Sequence, residues 1–293
     1  MAQRIDGRAV ARKLDQETKA QIDAMVAAGM PRPGLAVILV GNDPASEVYV
    51  RRKLKKSTEV GIRSFEHRLP AETTQDELLA LIARLNADPE VHGILCQVPL
   101  PGHIDTGLVL RAIAPSKDVD GFHPVNVGKL LRGEPCAIPC TPYGVVQMLI
   151  RSGYSPEGKH VVICGRSNLV GKPLAALLVQ KKKGANATVT ICHTGTKDLP
   201  RFTKQADILV AAMGVPRVIT ADMIREGCVV IDVGVNRVPD PASPKGFRLA
   251  GDCDFDGMLA KAEAITPVPG GVGPMTVTML LMNTVEAAER KAK

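Results

Sequence analysis

Tyr49 and Lys53 stand four residues apart in the stretch DPASEVYVRRK. Asp43 as an N-cap followed by Pro44 starts a helix, and residues four apart on a helix share a face. An aromatic ring beside an ammonium can hold a flat heterocycle and handle a proton. The same pair is also ordinary on a solvated helix surface. Gln97 closes the apolar stretch VHGILCQ, 91–97, just before the turn VPLPG. In open α/β sheets the carboxyl ends of strands face the ligand crevice, so the Gln97 carbonyl oxygen can orient a lysine amine. The plain alternative is an amide that satisfies loop backbone. Asp118 and Asp120, in DVDG, read as a turn or as part of a metal site. Two carboxylates without further oxygen ligands hold a hard cation poorly, and Asp120 can instead accept hydrogen bonds from an amino-substituted ring. The loop PVPGGVGP, 267–274, is rigid and has little side-chain bulk, so a ligand can approach its backbone closely; otherwise it is a connector.

A second group of residues suits a dinucleotide. The turn GRSNLVG, 165–171, follows the apolar run HVVIC and precedes the apolar segment PLAALLVQ. It departs from G-x-G-x-x-G, with Ser167 at the second glycine position and the last glycine one residue late. Gly165 permits a sharp exit from a strand, the backbone amides and helix start can hold a pyrophosphate, and Gly171 permits close packing. Sites for NAD usually carry Asp or Glu at the end of the next strand. Here that strand runs out as Cys192-His193-Thr194-Gly195, with no acid before Asp198. A carboxylate would repel a 2′-phosphate, whereas hydroxyl, imidazole and Arg166 would not, so NADP is expected over NAD.

The elements that must position these residues alternate between helix and strand, the pattern of layered α/β folds. Asp6 caps a helix with Val10, Leu14, Ile22 and Val26 on its apolar side. LAVILV, 35–40, suits a buried parallel strand, and 62–69 and 91–97 read as two more. Thr74 and Glu77 form a capping box ahead of LLALIARL. Thr141-Pro142 is expected to cap the next helix. Strands at 160–164, 187–192, 207–213 and 228–234 follow, then a helix from Met275. Strand, glycine turn, helix and strand within about 30 residues make a βαβ unit of the dinucleotide-binding kind.

Composition excludes several classes. The 293 residues, 45% hydrophobic and 23% charged, describe a globular chain of about two domains. With no Trp, three Tyr and five Phe, a base-stacking nucleic-acid platform is not expected. The net charge of +7 favours anionic ligands. Its densest run, RRKLKK at 51–56, also fits a solvated helix face. No apolar run approaches the roughly 20 residues of a membrane span, and MAQRIDGRAVARK lacks the apolar core of a secretory signal. Seven cysteines without a CxxC pair read as reduced thiols of a cytoplasmic protein. Cys136, Cys140 and His123 have poor spacing for zinc and no obvious fourth ligand, so no metal is expected.

VGNDPASEVYVRRK, GILCQVPLPGHI, KDVDGFHPVNVGKL, PCTPYGV, GRSNLVGKP and TPVPGGVGPMTVTMLL, taken together and in order, resemble the bifunctional methylenetetrahydrofolate dehydrogenase/methenyltetrahydrofolate cyclohydrolase family. The resemblance implies two α/β domains flanking a cleft: a folate-binding catalytic domain, 1–140 plus 270–293, and a Rossmann-like NADP domain, 141–269. It implies that Lys53 is the central catalytic residue, that Gln97 positions it, and that Tyr49 packs on the folate. Val98, Asp120, Pro269, Gly270 and Gly271 would complete the substrate site, and Gly165, Arg166, Ser167, Thr194 and Val235 would contact NADP. The implied chemistry is oxidation of 5,10-methylenetetrahydrofolate to the methenyl form, then hydrolysis to 10-formyltetrahydrofolate. A homodimer is implied as well. Arg51, Arg52, Lys55 and Lys56 are candidates for steering the glutamate tail of the substrate. The rival readings are a monofunctional NAD(P)-dependent dehydrogenase, a shikimate-dehydrogenase-like enzyme, and a non-enzymatic basic nucleotide-fold protein.

Overall fold

The computed structural model describes residues 1–244 and 246–292. The chain forms two compact units. One comprises Lys13–Cys140 together with the chain from Val277 onward, and the other comprises Met1–Arg12 with Thr141–Thr276.

The first unit is built on a three-stranded parallel sheet in the order Arg63–Leu69, Gly34–Val40, Gly93–Cys96. The central strand, GLAVILV, is buried at every position, as a parallel strand covered on both faces must be. Arg63–Leu69 is an edge strand and is buried at none of its positions. The helix Pro44–Val60 starts where Asp43 accepts from Ser46 N at 2.7 Å, and it stops at Gly61 with φ +94°. The helix Gln75–Ala87 opens with the full capping box of Thr74 and Glu77. It buries Leu78, Leu81, Ile82 and Leu85, one stripe of its surface. These side chains join Ala36, Ile38, Ile94 and Val109 in a single apolar core.

The second unit carries a six-stranded, wholly parallel sheet. Its order is Gln3–Arg4, Ala264–Ile265, Val229–Asp232, Ile208–Ala211, His160–Cys164, Thr188–Cys192. The strand His160–Cys164 lies between Thr188–Cys192 and Ile208–Ala211, so the order reverses beside it. In doubly wound sheets ligands bind outside the carboxyl ends at such a point, and Gly165 follows that strand directly. A two-stranded antiparallel ribbon, Asn236–Pro239 with Phe247–Ala250, stands apart from the sheet and carries no signal that distinguishes it from loop.

Several boundaries differ from the sequence reading. Residues 1–12 and 270–276 fall with 141–269, because Gln3–Arg4 pairs with Ala264–Ile265. Gly7 also lies so close to the 270–271 backbone that a Cβ on it would sit 1.9 Å from Gly271 O. The helix expected to be capped by Thr141-Pro142 runs Cys140–Arg151, which places Thr141 and Pro142 inside its first turn, where proline has no N–H to waste. The last helix runs Val272–Ala292, so it takes Pro274 into its first turn rather than starting at Met275. The strand read over 91–97 is only Gly93–Cys96.

Candidate active site

Lys53 projects from the helix Pro44–Val60 and Gln97 follows the strand Gly93–Cys96. Lys53 Nζ donates to Gln97 Oε1 at 2.9 Å. The Gln97 amide nitrogen donates to Val98 O at 2.6 Å, and its backbone N–H donates to Ile38 O at 2.9 Å. The side-chain amide is thereby fixed with its oxygen toward the ammonium. Tyr49, one helical turn before Lys53, is half exposed and its ring is open to a ligand. Val98, which follows Gln97 in the chain, is partly exposed.

The two acids of DVDG do different work. Asp118 is buried and its carboxylate accepts from Gly121 N at 3.0 Å, His123 N at 2.8 Å and Asn126 Nδ2 at 2.9 Å. It folds the loop. Asp120 has no such set of donors; the Cys140 thiol lies at 3.9 Å. Burial first, and then the neighbouring Asp118, push the Asp120 carboxyl up to about 6, against the opposing pull of the Lys53 ammonium. Lys53, Gln97 and Asp120 thus form one polar cluster with Tyr49 at its edge, all within the first unit.

Two further residues hold this cluster. Asn283, fully buried on the last helix, donates to Val119 O and Ile138 O, each at 2.8 Å. It ties the residue before Asp120 to the segment before Cys140. Cys140 Sγ donates to Val119 O at 3.6 Å, and burial together with Asp120 raises that thiol well above its usual range. Neither residue was singled out as part of this site in the sequence; the one hint is an Asn interrupting an otherwise apolar helix face in TMLLMNTV. Of the residues weighed for zinc, His123 Nδ1 accepts from Val125 N to cap the helix Pro124–Arg132 and the Cys140 thiol is turned to Val119 O. Among the described residues no three His, Cys, Asp or Glu side chains are grouped to hold a metal ion.

In the second unit Gly165 adopts φ +132°, and a Cβ there would lie 2.2 Å from Ala212 O. A Cβ on Gly171 would lie 2.0 Å from Gly165 O. Both glycines are therefore sterically required for the turn. Ser167 Oγ accepts from Val170 N at 3.1 Å and keeps its own hydrogen to donate. Arg166 and Ser167 are exposed. After the strand Thr188–Cys192, His193 N donates to Thr196 Oγ1 at 2.9 Å, which closes a small turn with Thr194 exposed. Val235 follows Gly234, whose Cβ would meet Asp252 Oδ1 at 2.2 Å. The fully buried Asp252 accepts from the backbone N–H groups of Met213, Gly214 and Val215 and from Asn236 Nδ2. Pro269, Gly270 and Gly271 also belong to this unit, with Gly271 N donating to Pro267 O at 2.8 Å.

Two family patterns cover most of the chain. Residues 5–120 match the tetrahydrofolate dehydrogenase/cyclohydrolase catalytic domain, and residues 139–292 match the NAD(P)-binding domain of the same family. The bifunctional protein FolD of Dehalococcoides mccartyi strain CBDB1 is 59% identical over 287 residues, which is 98% of this chain and 96% of that protein. The crystal structure of the bifunctional dehydrogenase/cyclohydrolase FolD from Campylobacter jejuni superposes with a TM-score of 0.92 at 46% identity, covering 99% of this chain and 100% of that one. The Trypanosoma brucei dehydrogenase-cyclohydrolase, solved with NADP cofactor and inhibitor, gives a TM-score of 0.91 at 41% identity, covering 100% and 99%.

Proposed function

The chain belongs to the tetrahydrofolate dehydrogenase/cyclohydrolase family, and from that premise we propose that it is a bifunctional one-carbon folate enzyme. It oxidises 5,10-methylenetetrahydrofolate to 5,10-methenyltetrahydrofolate with NADP, then hydrolyses the methenyl compound to 10-formyltetrahydrofolate. The observation that carries this reading at the residue level is the Lys53 to Gln97 hydrogen bond beside Asp120.

Each residue's part follows from its chemistry. Gln97 holds the Lys53 ammonium in one direction, so that it needs no reorganisation when substrate arrives. In the hydrolysis, water adds to the methenyl carbon and a ring nitrogen leaves. Lys53 Nζ is the group suited to exchange the proton that the attacking water releases and the one that the leaving nitrogen needs. The Tyr49 ring offers a face for the pterin. Asp120 accepts from the amino-substituted edge of the pterin, and Val98, Pro269, Gly270 and Gly271 contribute further substrate contacts. Of the four cations considered for the glutamate tail, Lys56 pairs with Asp15 and Lys55 with Glu59, which leaves Arg51 and Arg52 for that role.

The dinucleotide turn suits NADP: its two glycines let the backbone pack closely against Ala212 O and on itself, and the exposed 166–167 segment and the following helix start offer backbone amides to a pyrophosphate. Gly165, Arg166, Ser167, Thr194 and Val235 would hold the cofactor, with Arg166 and the Thr194 hydroxyl tolerating a 2′-phosphate that a carboxylate would repel. When bound, NADP supplies the hydride acceptor. We further infer a homodimer in the cytoplasm, which sedimentation and cell fractionation test. No described helix is long and apolar enough to cross a membrane.

The deciding assay supplies methylenetetrahydrofolate and NADP and follows the methenyl intermediate by its own absorbance. Lys53→Met is expected to slow hydrolysis of methenyl substrate by roughly 10²–10⁴-fold, the usual worth of a positioned proton-transfer group. Hydrolysis at the parent rate would refute the role of Lys53, and absence of methenyl product in the parent would refute the activity itself.

A further inference from the structure

The unit that carries Lys53 has a cavity of ≈ 590 Å³ away from that cluster. Val91 and His92 line it, at the entry to the strand Gly93–Cys96. Gln97 leaves the opposite end of that strand, roughly 13 Å away at the usual rise of four strand residues. The cavity is therefore distinct from the Lys53 cluster.

Its walls are strongly cationic. Lys117, Lys129, Arg290 and Lys291 face it, against one carboxylate, Asp88. Two of its polar groups are built into the fold. Lys117 is only 8% exposed and donates to Leu85 O at 2.8 Å and to Asp88 O at 2.7 Å. An ammonium has three hydrogens, so one remains. His92 is 3% exposed, and its Nδ1 accepts from Gly34 N at 3.0 Å. The ring proton of the neutral form must then sit on Nε2, where no described residue accepts it. Lys291 donates to Pro89 O at 2.8 Å, which brings its ammonium to the rim.

The positive charges oppose one another. Burial, then Lys291 and Lys117, hold the His92 imidazole below its ordinary range. Burial and Lys291 do the same to Lys117, with Asp88 opposing. The adjoining groove shares His92 and adds Arg32, Arg63 and Glu90, of which Arg63 and Glu90 neutralise each other at 2.6 Å. Arg290 pairs with Glu286 on its own helix at 3.5 Å, which leaves Lys117, Lys129 and Lys291 against Asp88, still more positive charge than a single carboxylate ligand would balance. Three donors, two ammonium groups and an imidazole N–H, match the oxygens of a phosphate group.

We propose that this cavity is a binding site for a dianionic phosphate group, with Lys117 Nζ, His92 Nε2 and the Lys291 ammonium as its donors and Lys129 and Arg290 as flanking charges. The volume leaves room for an organic carrier on the phosphate. The proposal is independent of the folate chemistry.

The test titrates the intact protein with inorganic phosphate, and separately with ribose 5-phosphate, at constant ionic strength set by sodium chloride. The readout is the His92 ring resonance, assigned by its loss in His92→Gln. Saturable movement of that signal below ~20 mM, the range of a weak small-anion site, is expected. Tighter binding of ribose 5-phosphate would identify an organic phosphate as the occupant, whereas equal affinity would identify the free anion; both outcomes support the site. Lys129→Gln with Lys291→Gln should weaken binding at least ~10-fold, about 1.4 kcal/mol, while dehydrogenase activity stays at the parent level. An equal response to chloride, a linear response without saturation, or undiminished binding by the double variant would overturn the proposal.

Discussion

Replacing Asp120 with Asn should make the protein more stable and less active, and the stability gain should depend on pH in a defined window. The carboxyl titrates near 3.8 in an unfolded chain and near 6 in the fold, because burial and Asp118 outweigh Lys53. Between these values the unfolded state loses its proton first. Stability contributed at this site therefore falls as pH rises from about 4 to about 6, and the penalty is complete above that. A shift of about two units corresponds to about 3 kcal/mol. Asn has the shape of the neutral acid and does not titrate. The variant and parent should thus match near pH 4, with the variant ahead by up to about 3 kcal/mol at pH 7.5. Asp232 in the other unit is likewise pushed up to about 6, by its own burial, but it is present in both proteins and cancels. Urea unfolding followed by circular dichroism, at several pH values and one ionic strength, measures the difference. A constant difference across the window, or a variant less stable than the parent at pH 7.5, would refute the account of Asp120 as a carboxylate held at a cost. The activity loss is the counterpart: a group strained in the empty site is one a ligand can relieve.

Other substitutions separate the remaining roles. Asn283→Leu keeps the branched skeleton but strands Val119 O and Ile138 O; with Asn283 Oδ1 itself lacking a partner among the described residues, the net loss should be about 2 kcal/mol in urea unfolding, with kcat reduced through the displaced Asp120. Gly171→Ala puts a methyl 2.0 Å from Gly165 O and should cost about 3 kcal/mol or more, read as a lower Tm together with weakened NADP binding. Asp252→Asn removes the charge that gathers the 213–215 amides. It should raise KM for NADP roughly tenfold, the worth of a charge-assisted hydrogen bond, while hydrolysis of supplied methenyl substrate, which consumes no NADP, stays near the parent rate.

What could be read in advance depended on the range of the interaction that fixes each feature. Asp43, Thr74 and Glu77 announce their helices because a cap is a contact within three or four residues of the same chain. The βαβ turn is legible for the same reason: Gly165 and Gly171 meet each other across six residues. The Lys53 to Gln97 hydrogen bond spans 44 positions; the helix face and the strand end each mark one of the two residues, and the family resemblance, not the spacing, implies their pairing. Asn283 reaches Val119 from 164 positions away, and no periodicity encodes that. The strand Gln3–Arg4 is two residues long and pairs with Ala264–Ile265, so residues 1–12 pack with the second unit, although the catalytic-domain pattern begins at residue 5, and no local pattern announces that pairing. The same reasoning explains why DVDG was ambiguous. Its two carboxylates are adjacent in composition and differ only in what surrounds them: Asp118 is saturated by Gly121, His123 and Asn126, and Asp120 is left short of donors. An acid that the fold partly buries without satisfying is the one available to a ligand, and that distinction arises from tertiary packing alone.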